Sequence, residues 1–503
     1  MRLPSPRTTL AALAATLVFA AVATVPARAG GRAVPEVAGG SPRATDDVLA
    51  RMDWPAATDA LTTSLATLLR IRSVNPPGDE ALAVDFLARE LSAAGIANEV
   101  VPLADGRSSL IARLPGNGTD KPLCLLSHVD VVPAEAERWA VAPFSGEVKD
   151  GYLWGRGALD MKGMTALELR TMIELHRLGA PLRRDIILLA VADEEVDSKG
   201  IDALLPLWDR IGCSHVVNEG GYGLDGLFFP GQTFHAISVA EKGAVWMKMI
   251  ASGEPGHGST PVAGRAPEKL TRALQKLATR KDVVHWSDAL LESFRRVGAE
   301  HGGVEGAILQ SPGLVKSLVK PKLMANPATH AALTNTVNVT GFFGGKAPNV
   351  VPSEVGAVLD CRILPGQTAD ALVQELTALV DDPAVRFEIT STTHANGSPW
   401  DDPFFAALAA RAVEGQEHAV AGPVVSVGYT DSQALRPLGV HAYGYVPFVI
   451  DPKLLGTTHG DDERVPVDQL QPGLRRLMAA VLDVSLDVPA GARPPVPHPA
   501  GPR

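Results

Sequence analysis

Three short apolar runs, each continuous rather than alternating and each leading into an acid or a histidine, constrain this chain most. Residues 123–128 run into His128, Val129 and Asp130. Residues 186–192 end in Asp193-Glu194-Glu195, and residues 215–217 in Asn218-Glu219. A strand buried on one face alternates apolar and polar residues. A continuous run marks a strand covered on both faces, which is the signature of a parallel sheet. Helical patterns lie around these runs, at residues 59–70, at 81–94 (closed by Gly95) and at 165–178 (closed by Gly179 and Pro181). The fold expected is therefore α/β, with a mainly parallel central sheet flanked by helices.

From about residue 241 the texture changes. Strand-like stretches at 245–251, 336–343, 355–364 and 385–392 alternate with helical patterns at 267–279 and 369–380. That order predicts a smaller, two-layer α+β, ferredoxin-like domain inserted into the larger one as a lid or dimerisation domain. Residues 281–333 between them are polar and loosely patterned, able to cap a site within one chain. The predicted organisation is a leader at 1–29, a loose segment at 30–44 and a catalytic domain at 45–240. An insertion at 241–395, the rest of the catalytic domain at 396–486 and a Pro-rich tail at 487–503 complete it.

The leader is read from Arg2 and Arg7, the apolar stretch 10–24, and Ala27-Arg28-Ala29, which together have the form of a secretory signal peptide. The apolar stretch is short for a membrane span, so export with cleavage near Ala29 is expected, and no membrane span elsewhere. The 503 residues carry 46 Lys plus Arg against 56 Asp plus Glu. Removing three arginines with the leader leaves 43 against 56, or −13. With aromatics at 5%, this balance excludes a nucleic-acid partner, which needs a basic face and stacking platforms. Cys124, Cys213 and Cys361 all lie in apolar runs and read as buried core residues, too few for a disulfide framework.

Ligands of open α/β sheets bind beyond the carboxyl ends of the strands. His128, Asp130, Glu194, Glu195 and Glu219 should therefore converge on one rim, joined by Asp160 after Trp154-Gly155-Arg156-Gly157. Several carboxylates brought together without a counter-charge would raise one another's pKa and cost stability. A pair of divalent cations removes that penalty, and mixed imidazole and carboxylate donors suit zinc. The isolated Asp160 is the one candidate to bridge two ions, which typically sit about 3.5–4 Å apart and activate a shared water. Neighbours on an extended chain point to opposite sides, so of Glu194 and Glu195 one should bind metal and the other act as general base. Asp130, two residues past His128, is placed to fix the imidazole.

The ordered set resembles the co-catalytic zinc metallopeptidase family of aminoacylase, glutamate carboxypeptidase, carboxypeptidase S and succinyl-diaminopimelate desuccinylase. The resemblance is carried by Ser127-His128-Val129-Asp130-Val131-Val132-Pro133, Gly155-Arg156-Gly157-Ala158-Leu159-Asp160-Met161-Lys162-Gly163, Asp193-Glu194-Glu195, Asn218-Glu219-Gly220, Gly256-His257-Gly258-Ser259 and Gly456-Thr457-Thr458-His459-Gly460 with Glu463. It spans about residues 55–485 and looks closest to the carboxypeptidase S and N-acyl amino acid hydrolase branch. It implies two zinc ions, replaceable by cobalt or manganese, with His128 and Glu219 on one, Glu195 and His459 on the other, and Asp160 between them. Glu194 would be the general base and His257 an oxyanion donor. Asn349 and Arg362 would bind a substrate carboxylate, with a structural ion pair the competing role for Arg362. Thr430-Asp431-Ser432 would line the pocket. His441, the rival to His459, reads as core. The activity implied is hydrolysis of a small peptide beside its C-terminal residue or, alternatively, of an N-acyl amino acid, with a homodimer through the inserted domain possible in this family. A non-catalytic binding protein would be expected to break the ligand set, which is complete here.

Overall fold

The computed structural model describes residues 42–488. The leader and nearly all of the Pro-rich tail lie outside them, and the expected loose segment enters them only at 42–44, which open a helix at Pro42–Leu49.

Among the described residues nine strands form the main sheet. Its centre is parallel: Leu123–His128 lies between Ile186–Val191 and His215–Asp225, and His441–Ile450 pairs with the far side of the last of these. Antiparallel strands continue both flanks, Ser108–Leu114 and Ala97–Pro102 on one, Thr233–Glu241 and Asn396–Gly397 on the other. Ala419–Ser426 adds parallel to Thr233–Glu241. Leu123–His128 and Ile186–Val191 are buried along their whole length, as continuous apolar runs require. The helix Lys162–Arg177 packs against the sheet, with every residue from Lys162 to Leu175 buried. The opening helix begins earlier than its periodicity suggests, at Trp54–Arg70, because Asp53 caps the Ala56 amide and Pro55 occupies the first turn.

Two expectations change here. The run at 215–217 does not end at Asn218: the strand continues to Asp225, so Glu219 lies within it. Cys124 and Cys213 are not merely buried but joined in a disulfide, with 5.8 Å between their Cα atoms; Cys361 is the free, buried thiol. The bond ties the strand that ends in His128 to the segment entering the strand that carries Glu219. Residues 89 apart in sequence reveal such a pairing only when strand order sets them side by side.

A second, four-stranded antiparallel sheet takes the order Thr336–Gly344, Glu354–Ile363, Gly243–Ser252, Val385–Thr392. With the helices Ala266–Ala278 and Ala369–Val380 it encloses a separate core that includes Met247, Leu359 and Leu376. The stretch 281–333, loosely patterned in sequence, is largely helical and does not join that core. Phe294, Val297, Leu309, Val315 and Leu323 pack onto Phe234, Ala236 and Val420 of the main sheet.

Candidate metal centre

The strand Leu123–His128 delivers His128 to the rim, where its Nε2 lies 3.1 Å from Asp160 Oδ1 and 3.7 Å from Glu219 Oε1. On the other side of Asp160, His459 Nε2 stands 3.3 Å from Oδ2 and 3.1 Å from Glu195 Oε2. One carboxylate thus faces two imidazoles, each with a second carboxylate of its own. Glu194 falls on the His128 side, its carboxylate within 4.8 Å of ligand atoms of His128 and Glu219.

Glu194 and Glu195 part company for a reason other than strand alternation. The strand stops at Val191, Asp193 takes a left-handed backbone (φ 71°), and the two glutamates lie in the turn that follows. That turn is held from below. The Asp130 carboxylate accepts the Glu194 and Glu195 amides at 3.2 and 3.1 Å, and Asn75 Nδ2 donates to Asp130 at 2.8 Å and to Asp193 at 2.9 Å. Arg107 pairs with Asp193 at 2.9 Å. Asp130 therefore orients the glutamate turn as much as the imidazole, whose Nδ1 faces the Asp130 carbonyl at 3.0 Å and its carboxylate at 3.5 Å.

Glu463 and Arg156, which lie in the same motifs as the ligands, had no role legible in the sequence. Glu463 is fully buried and accepts the amides of Gly157, Leu159 and Asp160 at 2.8, 2.7 and 3.0 Å, fixing the turn that presents Asp160. Arg156 donates to Glu463 at 2.7 Å and to the carbonyls of Thr457, Thr458 and Gly460, securing the loop that carries His459. Tyr222 Oη donates to the Leu159 carbonyl at 2.8 Å. At Gly444 an added Cβ would sit 2.1 Å from the Glu219 carbonyl, so only glycine lets that strand pass.

The charges are mutually dependent. Burial opposes a charge on His128, yet Glu219, Asp130 and Asp160 hold it well above the usual imidazole range. Asp160 and Glu195 lift His459 to about 10. Burial, then the neighbouring carboxylates, raise Glu219 and Glu194 well above the usual carboxylate range. Nearby, burial pushes Asp431 to about 8, while Thr430 donates to Glu241 at 2.8 Å.

The donor set fits divalent metal. Two imidazoles and three carboxylates converge from separate elements, and among the described residues Glu195 Oε1 is buried with no hydrogen-bond partner. An anionic oxygen in that state is costly unless a cation takes it.

The remaining expected residues lie on the second sheet's side of the chain. His257 is exposed on a two-residue strand paired with Val350–Val351. Its Nδ1 accepts the Ser259 amide at 3.2 Å, which leaves the proton of the neutral ring on Nε2. Asn349 is exposed and its carbonyl accepts the Gly258 amide at 2.8 Å. Arg362 is bidentate to Asp360 at 2.8 and 3.1 Å. The structure shows no contact from these three to the carboxylate cluster. His441 is not core: its side chain is 40% exposed and lies at the start of its strand, the end away from the rim.

Known proteins resemble the chain in sequence and in fold. N-fatty-acyl-amino acid synthase/hydrolase PM20D1 of Homo sapiens is 29% identical over 377 residues, covering 73% of this chain and 75% of that protein. Aminoacylase-1 of Sus scrofa is 29% identical over 407 residues, covering 79% and 88%. In fold, the M20 family metallo-carboxypeptidase Sso-CP2 from Sulfolobus solfataricus matches with a TM-score of 0.63 at 19% identity, over 84% of this chain and 98% of that one. Residues 124–483 match the model of Peptidase family M20/M25/M40, and with the ligand-bearing rim inside that span the chain belongs to this family and is a metal-dependent hydrolase.

Proposed function

We propose that the chain is a di-zinc amidohydrolase that cleaves the amide on the amino side of an amino acid with a free carboxylate, N-acyl amino acids being its substrate class. The observation that carries this reading is Asp160, whose two oxygens face two imidazoles, each with its own carboxylate. His128 and Glu219 would hold one ion, His459 and Glu195 the other, and Asp160 both. When bound, such a pair acidifies a water and polarises the scissile carbonyl.

Glu194 supplies the proton transfers. Burial and Glu219 raise its carboxyl, the direction a base working near neutrality needs. It takes a proton from the attacking water, whose oxygen adds to the carbonyl carbon. It then gives that proton to the departing nitrogen as the C–N bond breaks. His257, with its proton on Nε2, is suited to donate to the developing oxyanion once the second sheet approaches. Arg362 can take the substrate carboxylate by exchanging Asp360 for it.

The acyl choice is supported by the likeness to N-fatty-acyl-amino acid synthase/hydrolase PM20D1 and to aminoacylase-1. Cleavage of a C-terminal peptide bond is the second reading, favoured by the family's description as a peptidase family. A screen of N-acyl amino acids beside dipeptides on zinc-loaded protein tests both. Turnover of dipeptides alone would reverse the order, and turnover of neither would refute the assignment. Export is also proposed: the leader-like first 29 residues and the Cys124–Cys213 disulfide both suit an oxidising compartment. Dimerisation through the 241–395 segment is supported by the solvent-facing Trp246, Val339 and Phe342, and sedimentation analysis checks it.

A further inference from the structure

At the opposite end of the main sheet, away from the rim, His215 and His441 begin two neighbouring parallel strands and are register partners. Asp402, the N-cap of the helix Pro403–Val413, reaches between them. Its Oδ2 lies 3.1 Å from His215 Nε2 and 2.8 Å from His441 Nδ1, while Oδ1 accepts the Phe404 amide at 2.7 Å. The rings are perpendicular, with centroids 5.4 Å apart, so both present nitrogens to one point instead of stacking. All three donor atoms lie within 4.8 Å of one another.

Donors about 2.0–2.2 Å from a common ion are themselves roughly 3.0–3.5 Å apart, close to the spacing here. Hydrogen bonding reinforces the point. The Ser214 hydroxyl lies 2.9 Å from His215 Nδ1 and holds the ring in place. His215 Nε2 and His441 Nδ1 both face the same Asp402 oxygen, which lies between the two rings. An outer nitrogen held by a hydrogen bond is a common feature of a metal-bound imidazole.

We propose that His215, Asp402 and His441 form a separate binding site for one zinc-class divalent ion, its remaining positions open to water on the exposed His441 side. His215 precedes the inserted segment, whereas Asp402 and His441 follow it. The ion would therefore staple the two halves of the main sheet, a structural task distinct from hydrolysis.

The test uses the full chain stripped with chelator and titrated with Zn2+, with bound metal measured by elemental analysis. In a His128→Ala/His459→Ala background, which dismantles the rim, one Zn2+ should still bind and raise the melting temperature. Adding His441→Ala should weaken that binding at least about 10-fold and abolish the thermal shift. In the otherwise native chain, His441→Ala should lower the zinc content by one and leave hydrolysis unchanged. His441→Gln serves if the alanine variant does not fold. Co2+ added to the rim-dismantled protein should give the visible absorption of a His-ligated site, without any change to the triad. No Zn2+ bound in that background, no cobalt spectrum, or equal zinc content with and without His441 would each overturn the proposal. None of these outcomes depends on whether the rim is catalytic.

Discussion

Glu194, half-buried, and Glu463, fully buried, are acids near one rim, and their partners give them opposite tasks. Burial and the neighbouring Glu219 raise the Glu194 carboxyl well above the usual carboxylate range, the direction a proton carrier working near neutrality needs. Glu194→Ala should keep its zinc yet lose at least about 10²-fold in kcat, as expected for loss of a general base. Unimpaired turnover would remove it from that role. His257→Ala should lower kcat with metal content unchanged, and a metal-poor variant would place it among the ligands instead. Glu463, by contrast, is held by three amides and Arg156. Glu463→Ala leaves a buried guanidinium without its counter-charge and three amides without their acceptor, and should cost about 3–5 kcal/mol of stability. Denaturant unfolding of the metal-free protein measures this directly. A loss below about 1 kcal/mol would mean that water replaces the carboxylate.

At the scale of elements, the Cys124–Cys213 disulfide links the strand that carries His128 to the segment leading into the strand that carries Glu219. Cys213→Ala should destabilise the chain by about 2–4 kcal/mol, read from the unfolding midpoint. Zinc affinity should fall with it, since the two ligand strands lose a covalent tie. An unchanged midpoint would show that the parallel pairing alone sets their spacing. Much at this scale was legible in the sequence. The runs at 123–128 and 186–192, the helix at 369–380 and the strand at 385–392 lie where their patterns place them. The helices at 281–333 were not legible, because their apolar residues meet the main sheet in short, irregular pieces rather than along one periodic stripe.

For the whole molecule, the clustered charges set a pH dependence of folding. His128 and His459 titrate higher in the fold than in the unfolded chain, the latter near 10, and so do Glu194 and Glu219. A folded state that binds protons more tightly than the unfolded chain loses stability as pH rises. The glutamates' contribution is complete below about 4.5 and the histidines' below about 6.5, and both are lost as pH climbs through the folded values. Chelator-treated protein should therefore melt progressively lower between about pH 6 and pH 9, and zinc should restore more at the upper end, because it replaces the missing protons. Parallel melting curves with and without zinc would contradict this.

Sequence alone determined the parallel α/β centre, the smaller α+β unit and the set of acids and histidines at the rim. Hydropathy period and residue type are local properties that survive without a partner. Only the tertiary structure decided that Asp130 holds the glutamate turn, that two of three cysteines pair, and that His441 meets His215 and Asp402. Each of these joins groups presented by separate elements, and strand order and register alone fix which groups meet.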